Sequence, residues 1–155
     1  VAACHAGWRG VAGGILLEAI RLLEKTGSRR IDLLVALGPA VSGPNYQVES
    51  AVAEQVARSL PLDGAAAEST EAVLAELEHC GALLPDPEAG RHRLDIRAAT
   101  RRQLELVGIK PDHIAVCPLC TVAEPQLFHS WRRDQVKAVQ WSGIVSQQAD
   151  GAALG

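Results

Sequence analysis

The chain has the length of one domain, with 155 residues, of which 48% are hydrophobic and 21% charged. This balance is typical of a folded globular protein and argues against intrinsic disorder. The net charge of −3 argues against a large nucleic-acid surface, and no apolar run reaches the roughly 18 residues of a membrane span. Neither nucleic acid nor membrane is therefore expected as a partner. Four cysteines are too few for a disulfide-rich secreted scaffold, so we expect a reduced, cytoplasmic protein.

The start of the sequence is unusual, because the chain contains no Met and begins with the apolar residues Val1-Ala2-Ala3. An apolar, strand-like start predicts that the chain is the C-terminal portion of a longer protein. We expect residues 1–147 to form part of a single domain and residues 148–155, rich in Gly and Ala, to be a flexible tail.

The first third of the chain alternates strand and helix patterns. Residues 1–4 are predicted to end a buried strand, which a turn containing glycines follows. Apolar residues recur at helical spacing over 11–25, and Gly27 stands where a helix C-cap belongs. The apolar run at 31–37 predicts a central strand buried on both faces, and the Gly- and Pro-rich residues 38–45 predict a loop.

The middle of the chain is predicted to be mainly helical. Ser50 is expected to cap a helix that runs to about Leu60, with Pro61 beyond its end. Residues 71–80 predict a second helix, whose Glu-rich face suggests a peripheral position. Residues 85–90 predict a polar loop.

The last third is predicted to return to strands. After a short strand near residue 92, Asp95 is expected to cap a helix over 97–107, and residues 114–117 predict a buried strand. Residues 127–131 and 136–141 are expected to pair as an antiparallel hairpin. This order of elements predicts an α/β (α+β) fold in which helices cover a mixed β-sheet.

The strongest candidate for chemistry is the run from His5 to Gly10. An imidazole at the end of a strand can bind a metal or transfer a proton. Trp8 offers a flat apolar face, Arg9 offers a fork of donors for phosphate or carboxylate, and Gly7 lets the backbone approach a ligand closely. A core histidine beside a surface arginine is an equal alternative on the residues alone.

Three other segments are weaker candidates. The loop at 38–47, which contains Asn45, leaves the end of a predicted strand, where α/β proteins commonly bind ligands; a structural turn is an equal alternative. Arg132 and Arg133 are adjacent in predicted extended structure, so at most one faces a site, and an exposed, solvated pair is the alternative. Residues 117–120 form a lone Cys-x-x-Cys, which we interpret as small buried residues rather than half of a zinc site.

Four motifs follow one another along the chain: His5-Ala6-Gly7-Trp8-Arg9-Gly10, Gly38-Pro39-Ala40-Val41-Ser42 with Tyr46-Gln47-Val48, Leu94-Asp95-Ile96, and Cys120-Thr121 with Phe128-His129-Ser130-Trp131-Arg132-Arg133-Asp134. In this order they resemble the YfiH family, long labelled polyphenol oxidases or laccase-domain proteins and now regarded as purine nucleoside phosphorylases. The resemblance covers essentially the whole chain. It implies a YfiH-like fold that is truncated at the N-terminus.

The resemblance also implies a zinc site made by two histidines and one cysteine. His5 matches the second histidine and is thus the expected metal ligand, while the other two ligands precede the signature in family members. The implied activity of the full-length protein is phosphorolysis of adenosine, inosine, guanosine and methylthioadenosine, together with deamination of adenosine. The isolated chain, lacking two zinc ligands, is expected to be inactive.

Phosphate is the implied co-substrate, and an arginine fork is the obvious means of holding it. Arg9 and one of Arg132 and Arg133 are the candidates, and His5 and Arg9 are the predicted catalytic residues. The predicted substrate-binding residues are Gly7, Trp8, Asn45, Arg132 and Arg133.

Two other functions stay open. Copper-dependent oxidation of polyphenols is disfavoured, because the sequence lacks the His-rich motifs of blue-copper and trinuclear sites. A non-catalytic fragment or binding domain is the other alternative. It is favoured by the missing zinc ligands and by Gln47, which replaces the family's usual Glu and so removes a possible acid or base.

Overall fold

A computed structural model describes residues 1–146, so the predicted tail at 148–155 lies outside the described residues. Its helices are α1 (Trp8–Ala12), α2 (Ile15–Lys25), α3 (Ser50–Ala57), α4 (Ala65–Glu68), α5 (Thr70–His79), α6 (Ile96–Leu106) and α7 (Trp131–Asp134). Its strands are β1 (Val35–Leu37), β2 (Gln47–Glu49), β3 (Leu83–Pro85), β4 (Arg91–Leu94) and β5 (Ile114–Val116). Short 3-10 turns occupy Arg30–Asp32, Gly43–Asn45 and Pro111–His113.

The strands form two small sheets. β1 and β5 pair in parallel, with Val35 opposite Ile114. β2, β4 and β3 form an antiparallel sheet in that order, and Leu83 lies opposite Leu94. Parallel and antiparallel pairing accompanied by helices confirms the predicted α/β class.

Most of the buried side chains belong to one cluster, called the main core here. It joins the β2–β4–β3 sheet to α3, α5 and the start of α6, and its members are Val11, Val48, Ala53, Val56, Ala57, Leu60, Val73, Leu77, Ala82, Leu83, Leu94, Ile96 and Ala99. A smaller cluster packs α2 and α6 against the parallel pair, through Leu16, Ile20, Leu104, Ile109 and Ile114. Because Val73 and Leu77 are buried, α5 is an integral core helix, and its predicted peripheral position was wrong.

Helix boundaries follow local chemistry. The Asp95 carboxylate accepts the backbone N–H groups of Arg97 and Ala98 at 3.0 and 3.3 Å, which confirms it as the cap of α6. The predicted Ser50 cap was wrong: Glu49 occupies the N-cap of α3, and the N–H of Ser50 donates to the carbonyl of Gly90. This contact ties α3 to the start of β4.

The helix predicted over 11–25 is two helices. The glycines at positions 13 and 14 separate α1 from α2, and Gly14 has a left-handed φ of +76°. Since a side chain at that φ is disfavoured, glycine lets the chain turn there. The turn frees α1 to pack on α3 while α2 packs against α6.

Two buried-strand predictions fail for a shared reason. Residues 1–4 belong to no strand and are exposed. Of the run at 31–37, only 35–37 is a strand, and Leu34 is 78% exposed. Because β5 is the only neighbour of β1 among the described residues, one flank of this pair stays unpaired, and Ala36 on the face away from α2 and α6 is exposed. For the same reason β5 is buried only at Ile114.

The predicted hairpin near the C-terminus is also wrong. Instead of a turn between strands, residues 131–134 form α7, and the described residues from 127 to 146 contain no strand. Local hydrogen bonds favour the helical turn, because the N–H of Asp134 donates to the Ser130 carbonyl while the Asp134 carboxylate accepts the N–H of Ser130. The loop predicted at 85–90 is shorter than expected, since Pro85 ends β3.

None of the helices in residues 1–146 combines the length and hydropathy needed to cross a membrane.

Candidate functional site

Two loops lie side by side at the carboxyl ends of β1 and β5. The N–H of Cys117 donates to the Leu37 carbonyl at 2.9 Å, and the N–H of Thr121 donates to the Ala40 carbonyl at 3.0 Å. An isolated parallel bridge between Ala40 and Cys120 continues the pairing. The carboxyl ends of parallel strands are where open α/β sheets bind ligands, so this edge is the expected place for a site.

Asp95 and Arg97, at the start of α6, contact both of these loops. Arg97 is only 8% exposed, and its Nη1 donates to the carbonyls of Cys117 and Leu119 at 2.6 and 2.9 Å. The Arg97 Nε lies 3.5 Å from Oδ1 of Asp95, whose Oδ2 accepts the N–H of Gly43 at 3.3 Å. The residues that start α6 therefore fix both loops relative to the main core.

The Cys120 side chain lies between the loops. Its Sγ accepts the N–H of Ser42 at 3.3 Å and a hydrogen bond from Nδ2 of Asn45 at 3.6 Å. Burial raises the pKa of the Cys120 thiol, but hydrogen bonds from Ser42 and from the N–H groups of Ala123 and Val122 outweigh burial and lower it to about 7. A substantial fraction of Cys120 is therefore thiolate at neutral pH.

The contact with Cys120 also sets the orientation of the Asn45 side-chain amide. Its Nδ2 also donates to the Ser42 hydroxyl at 3.0 Å, so the amide nitrogen is engaged on the loop side. The residue is exposed, and its amide oxygen is left as an acceptor. Of the Cys-x-x-Cys motif, Cys120 is buried as predicted and Cys117 is only half-buried.

His5 lies over the turn that begins α1. Gly7 is the N-cap of this helix, and a Cβ built on it would lie 2.9 Å from Nε2 of His5. A side chain at position 7 would therefore require the exposed His5 imidazole to move from this place.

Trp8 and Arg9 are the first two residues of α1, and their side chains contact each other. Trp8 packs against the main core, and the Arg9 guanidinium lies 4.6 Å from the centroid of its ring. This is a cation–π contact, which favours the guanidinium over the ring face. Arg9 is exposed and pairs with no carboxylate within residues 1–146.

Arg132 makes an equivalent contact with Tyr46. Its guanidinium lies 4.7 Å from the centroid of the Tyr46 ring, and its Nη1 donates to the Gln47 carbonyl at 3.0 Å. Burial raises the pKa of the Tyr46 phenol, and the positive charges of Arg132 and Arg9 oppose this effect. Of the two, Arg132 is the guanidinium that contacts the Tyr46 ring.

Arg133 has a different environment from its neighbour. Its guanidinium donates to backbone carbonyls of Thr121, Val122 and Phe128 at 2.8–3.0 Å and forms a two-point ion pair with Asp134 at 2.7 Å. These contacts engage all three guanidinium nitrogens. Arg133 thus fastens α7 to the loop after β5, whereas Arg132 keeps most of its donors free.

The Gln47 side chain contacts two carboxylates. Its Nε2 donates to Oδ1 of Asp86 at 3.0 Å and to Oε2 of Glu88 at 3.1 Å. Asp86 also forms an ion pair with Arg93. A glutamate at position 47 would face two carboxylates, so an amide suits this environment and the departure from the family's Glu has a local structural reason.

The predicted site residues thus form three groups. His5, Gly7, Trp8 and Arg9 lie around the start of α1, Arg132 stacks on Tyr46, and Asn45 contacts the Cys120 thiol. Sequence reasoning missed Tyr46 and Cys120 as site residues, although both belong to the motifs that carried the family resemblance. Within the described part of the chain, no three His, Cys, Asp or Glu side chains are grouped to hold a metal ion.

Comparisons with known proteins identify relatives of this chain. A family model described as multi-copper polyphenol oxidoreductase laccase matches residues 1–147. A Synechocystis protein named purine nucleoside phosphorylase is 41% identical over 94% of this chain and 56% of its own length. Purine nucleoside phosphorylase YlmD of Bacillus subtilis is 33% identical over 96% of this chain and 48% of its own.

Solved structures give the same relationship. The crystal structure of Bacillus licheniformis hypothetical protein YfiH matches with a TM-score of 0.69 at 32% identity, over 85% of this chain and 44% of that one. YlmD from Geobacillus stearothermophilus matches with the same score and identity, over 43% of its chain. The chain spans about half the length of the curated relatives it matches. By its sequence, its motifs and its fold, the chain belongs to the YfiH family, which carries the laccase-type family description.

Proposed function

We propose that the intact protein is a purine nucleoside phosphorylase acting on adenosine, inosine, guanosine and methylthioadenosine. The observation that carries the proposal is a pair of exposed guanidinium groups, each stacked on an aromatic ring that packs against the main core: Arg9 on Trp8 and Arg132 on Tyr46. Within residues 1–146 neither guanidinium pairs with a carboxylate, and such groups are suited to a dianionic phosphate. The names of the curated relatives support the same reaction.

Phosphorolysis needs few groups other than those that bind the phosphate. A phosphate oxygen forms a bond to C1′ of the ribose as the bond from C1′ to N9 breaks, and the bonding electrons leave with the purine. Positive charge develops at the ribose, so a phosphate held beside C1′ stabilises the transition state. Arg9 and Arg132 would hold the phosphate, while Gly7 and Trp8 would line the site beside it.

Asn45 is proposed to contact the base. Its amide nitrogen is engaged by Ser42 and Cys120, which leaves Oδ1 as an acceptor. Purines present N–H donors at the 6-amino group of adenine and at N1 of hypoxanthine and guanine. One amide acceptor could therefore serve several purine bases, in keeping with the proposed range of substrates.

Zinc and adenosine deamination are proposed for the intact protein only. His5 is exposed and can offer one imidazole, but the described residues do not group it with the second histidine and the cysteine that the family site needs. The chain as described thus does not fit a complete zinc site. When bound, zinc would supply an activated water for deamination.

The test is product analysis with the intact protein. We expect adenosine and phosphate to yield adenine and ribose 1-phosphate, with no adenine formed when phosphate is omitted. Arg9→Ala and Arg132→Ala should each lower kcat/KM for phosphate at least tenfold, because each removes a charged hydrogen-bonding fork worth about 1.5–3 kcal/mol. Arg21→Ala on α2, which removes an exposed arginine whose partner is Glu18, is the matched control and should leave kcat/KM unchanged.

Other outcomes would contradict this assignment. Cleavage of adenosine that does not depend on phosphate would indicate a hydrolase. Oxygen-dependent oxidation of phenols without nucleoside cleavage would support the oxidase named in the family description. Formation of inosine alone would leave only the deaminase part of the proposal.

A further inference from the structure

The backbone of Tyr46 is held by two hydrogen bonds that involve no arginine. Its N–H donates to the Gly43 carbonyl and its carbonyl accepts the N–H of Leu94, both at 3.0 Å. The side chain is half-buried and packs against the main core. The ring therefore presents one fixed face to the site.

Arg132 lacks such rigidity of its own. It lies in α7, a helix of four residues, and its side chain is exposed. The adjacent Arg133 fixes the backbone of α7 to the carbonyls of Thr121, Val122 and Phe128. What sets the direction of the Arg132 guanidinium is its contact with the Tyr46 ring face and one hydrogen bond to the Gln47 carbonyl.

We propose that Tyr46 is a positioning residue for phosphate, and that its ring face holds the Arg132 guanidinium in the orientation that binds phosphate. This inference rests on the proposed phosphorylase function and extends it, because Tyr46 acts on phosphate through Arg132. A free arginine side chain loses conformational freedom when it binds an anion, and a guanidinium already held against a ring loses less. The gain appears as tighter phosphate binding rather than as faster chemistry.

The ring and the hydroxyl of Tyr46 have separable roles. The cation–π contact uses the ring face, which Phe keeps and Leu loses. Tyr46→Leu should raise KM for phosphate about fivefold to tenfold, the range that a partly exposed cation–π contact supplies, with kcat changed less than twofold. Tyr46→Phe should stay within about twofold of the wild type in both constants.

A second pair of measurements separates positioning from a general loss of packing. In an Arg132→Ala background, Tyr46→Leu should cause no further rise in KM for phosphate, because the residue it positions is gone. Leu74→Ala in α5, which loosens packing against the same core away from the arginines, is the matched control. It should lower the melting temperature without changing KM for phosphate.

The experiment uses the intact protein, with phosphate varied at saturating adenosine and thermal unfolding recorded for every variant. Equal values of KM for phosphate in the wild type and Tyr46→Leu, or additive effects in the double variant, would overturn the role of Tyr46 while leaving the phosphorylase function in place. A large loss in Tyr46→Phe would overturn it in favour of a direct contact by the hydroxyl. Wild-type protein without phosphorolysis would overturn both proposals together.

Discussion

The two sheets of the molecule differ in how completely the described residues cover them. The β2–β4–β3 sheet packs against α3, α5 and the start of α6, and Leu94 in its middle strand is fully buried. The β1–β5 pair has helices α2 and α6 on one side, yet Leu34 just before β1 is 78% exposed. The first sheet is stabilised by the chain alone, whereas the second has room for more strands or helices.

This difference also divides the candidate site. Tyr46 and Asn45 belong to the covered sheet and the turn that leads into it, so the described residues fix their positions. His5 follows four exposed residues and has only the turn of α1 beneath it. The part of the site proposed to bind phosphate is thus better defined by this chain than the part proposed to bind zinc.

The largest expected effect comes from comparing one leucine of each region. Leu94→Ala should lower the free energy of unfolding by about 3 kcal/mol, because it leaves a cavity in the main core. Leu34→Ala should change it by less than about 0.5 kcal/mol, because an exposed side chain loses little. Urea denaturation of both variants tests the comparison, and a cost at Leu34 near that at Leu94 would show that this face is covered in solution.

A second comparison concerns the adjacent arginines. Arg133→Ala should lower the free energy of unfolding by about 2 kcal/mol, since it leaves carbonyls of the loop after β5 without their donor. Arg132→Ala should cost less than about 1 kcal/mol, as expected for an exposed side chain with one hydrogen bond and one cation–π contact. Arg133→Lys keeps the charge but not the fork, and should recover less than half of the loss in the same unfolding assay. Equal costs for Arg132→Ala and Arg133→Ala would contradict the division of roles.

Much of the covered region could be predicted from sequence because its signals are local. Asp95 before an amphipathic stretch identifies the start of α6, and the periodicity of residues 71–80 identifies α5. The buried position of α5 was not predicted, because the glutamates on one face of the helix do not indicate what packs against its apolar face. Local patterns thus predicted where the elements lie in the sequence better than they predicted how deeply each element is buried.

The failures have a common physical origin in contacts between distant segments. Residues 127–141 alternate in a way that favours a hairpin, yet Arg133 gains more by reaching the carbonyls of the β5 loop from a helical turn. Likewise, no local pattern indicates that Arg132 stacks on Tyr46. The family resemblance named the residues of the site, but their partners could be assigned only in three dimensions.

The smallest expected effect tests the fit of Gln47 to its surroundings. Hydrogen bonds from the Glu88 N–H, and then from Gln47, together with Arg93, hold the pKa of Asp86 below its ordinary value against the opposing effect of burial. Gln47→Glu would replace a donor by a third carboxylate, and the like charges would raise the pKa of the new group.

A group whose pKa is raised by folding contributes stability below its ordinary pKa and loses it as the pH rises through the folded value. Gln47→Glu should therefore melt about 2–4 °C below the wild type at pH 8, and this gap should close near pH 4. Gln47→Met removes the hydrogen bonds without adding charge, so its smaller deficit should not grow as the pH rises from 5 to 8. Melting curves from pH 4 to 8 distinguish the two variants, and a pH-independent deficit in Gln47→Glu would show that the three side chains do not face one another.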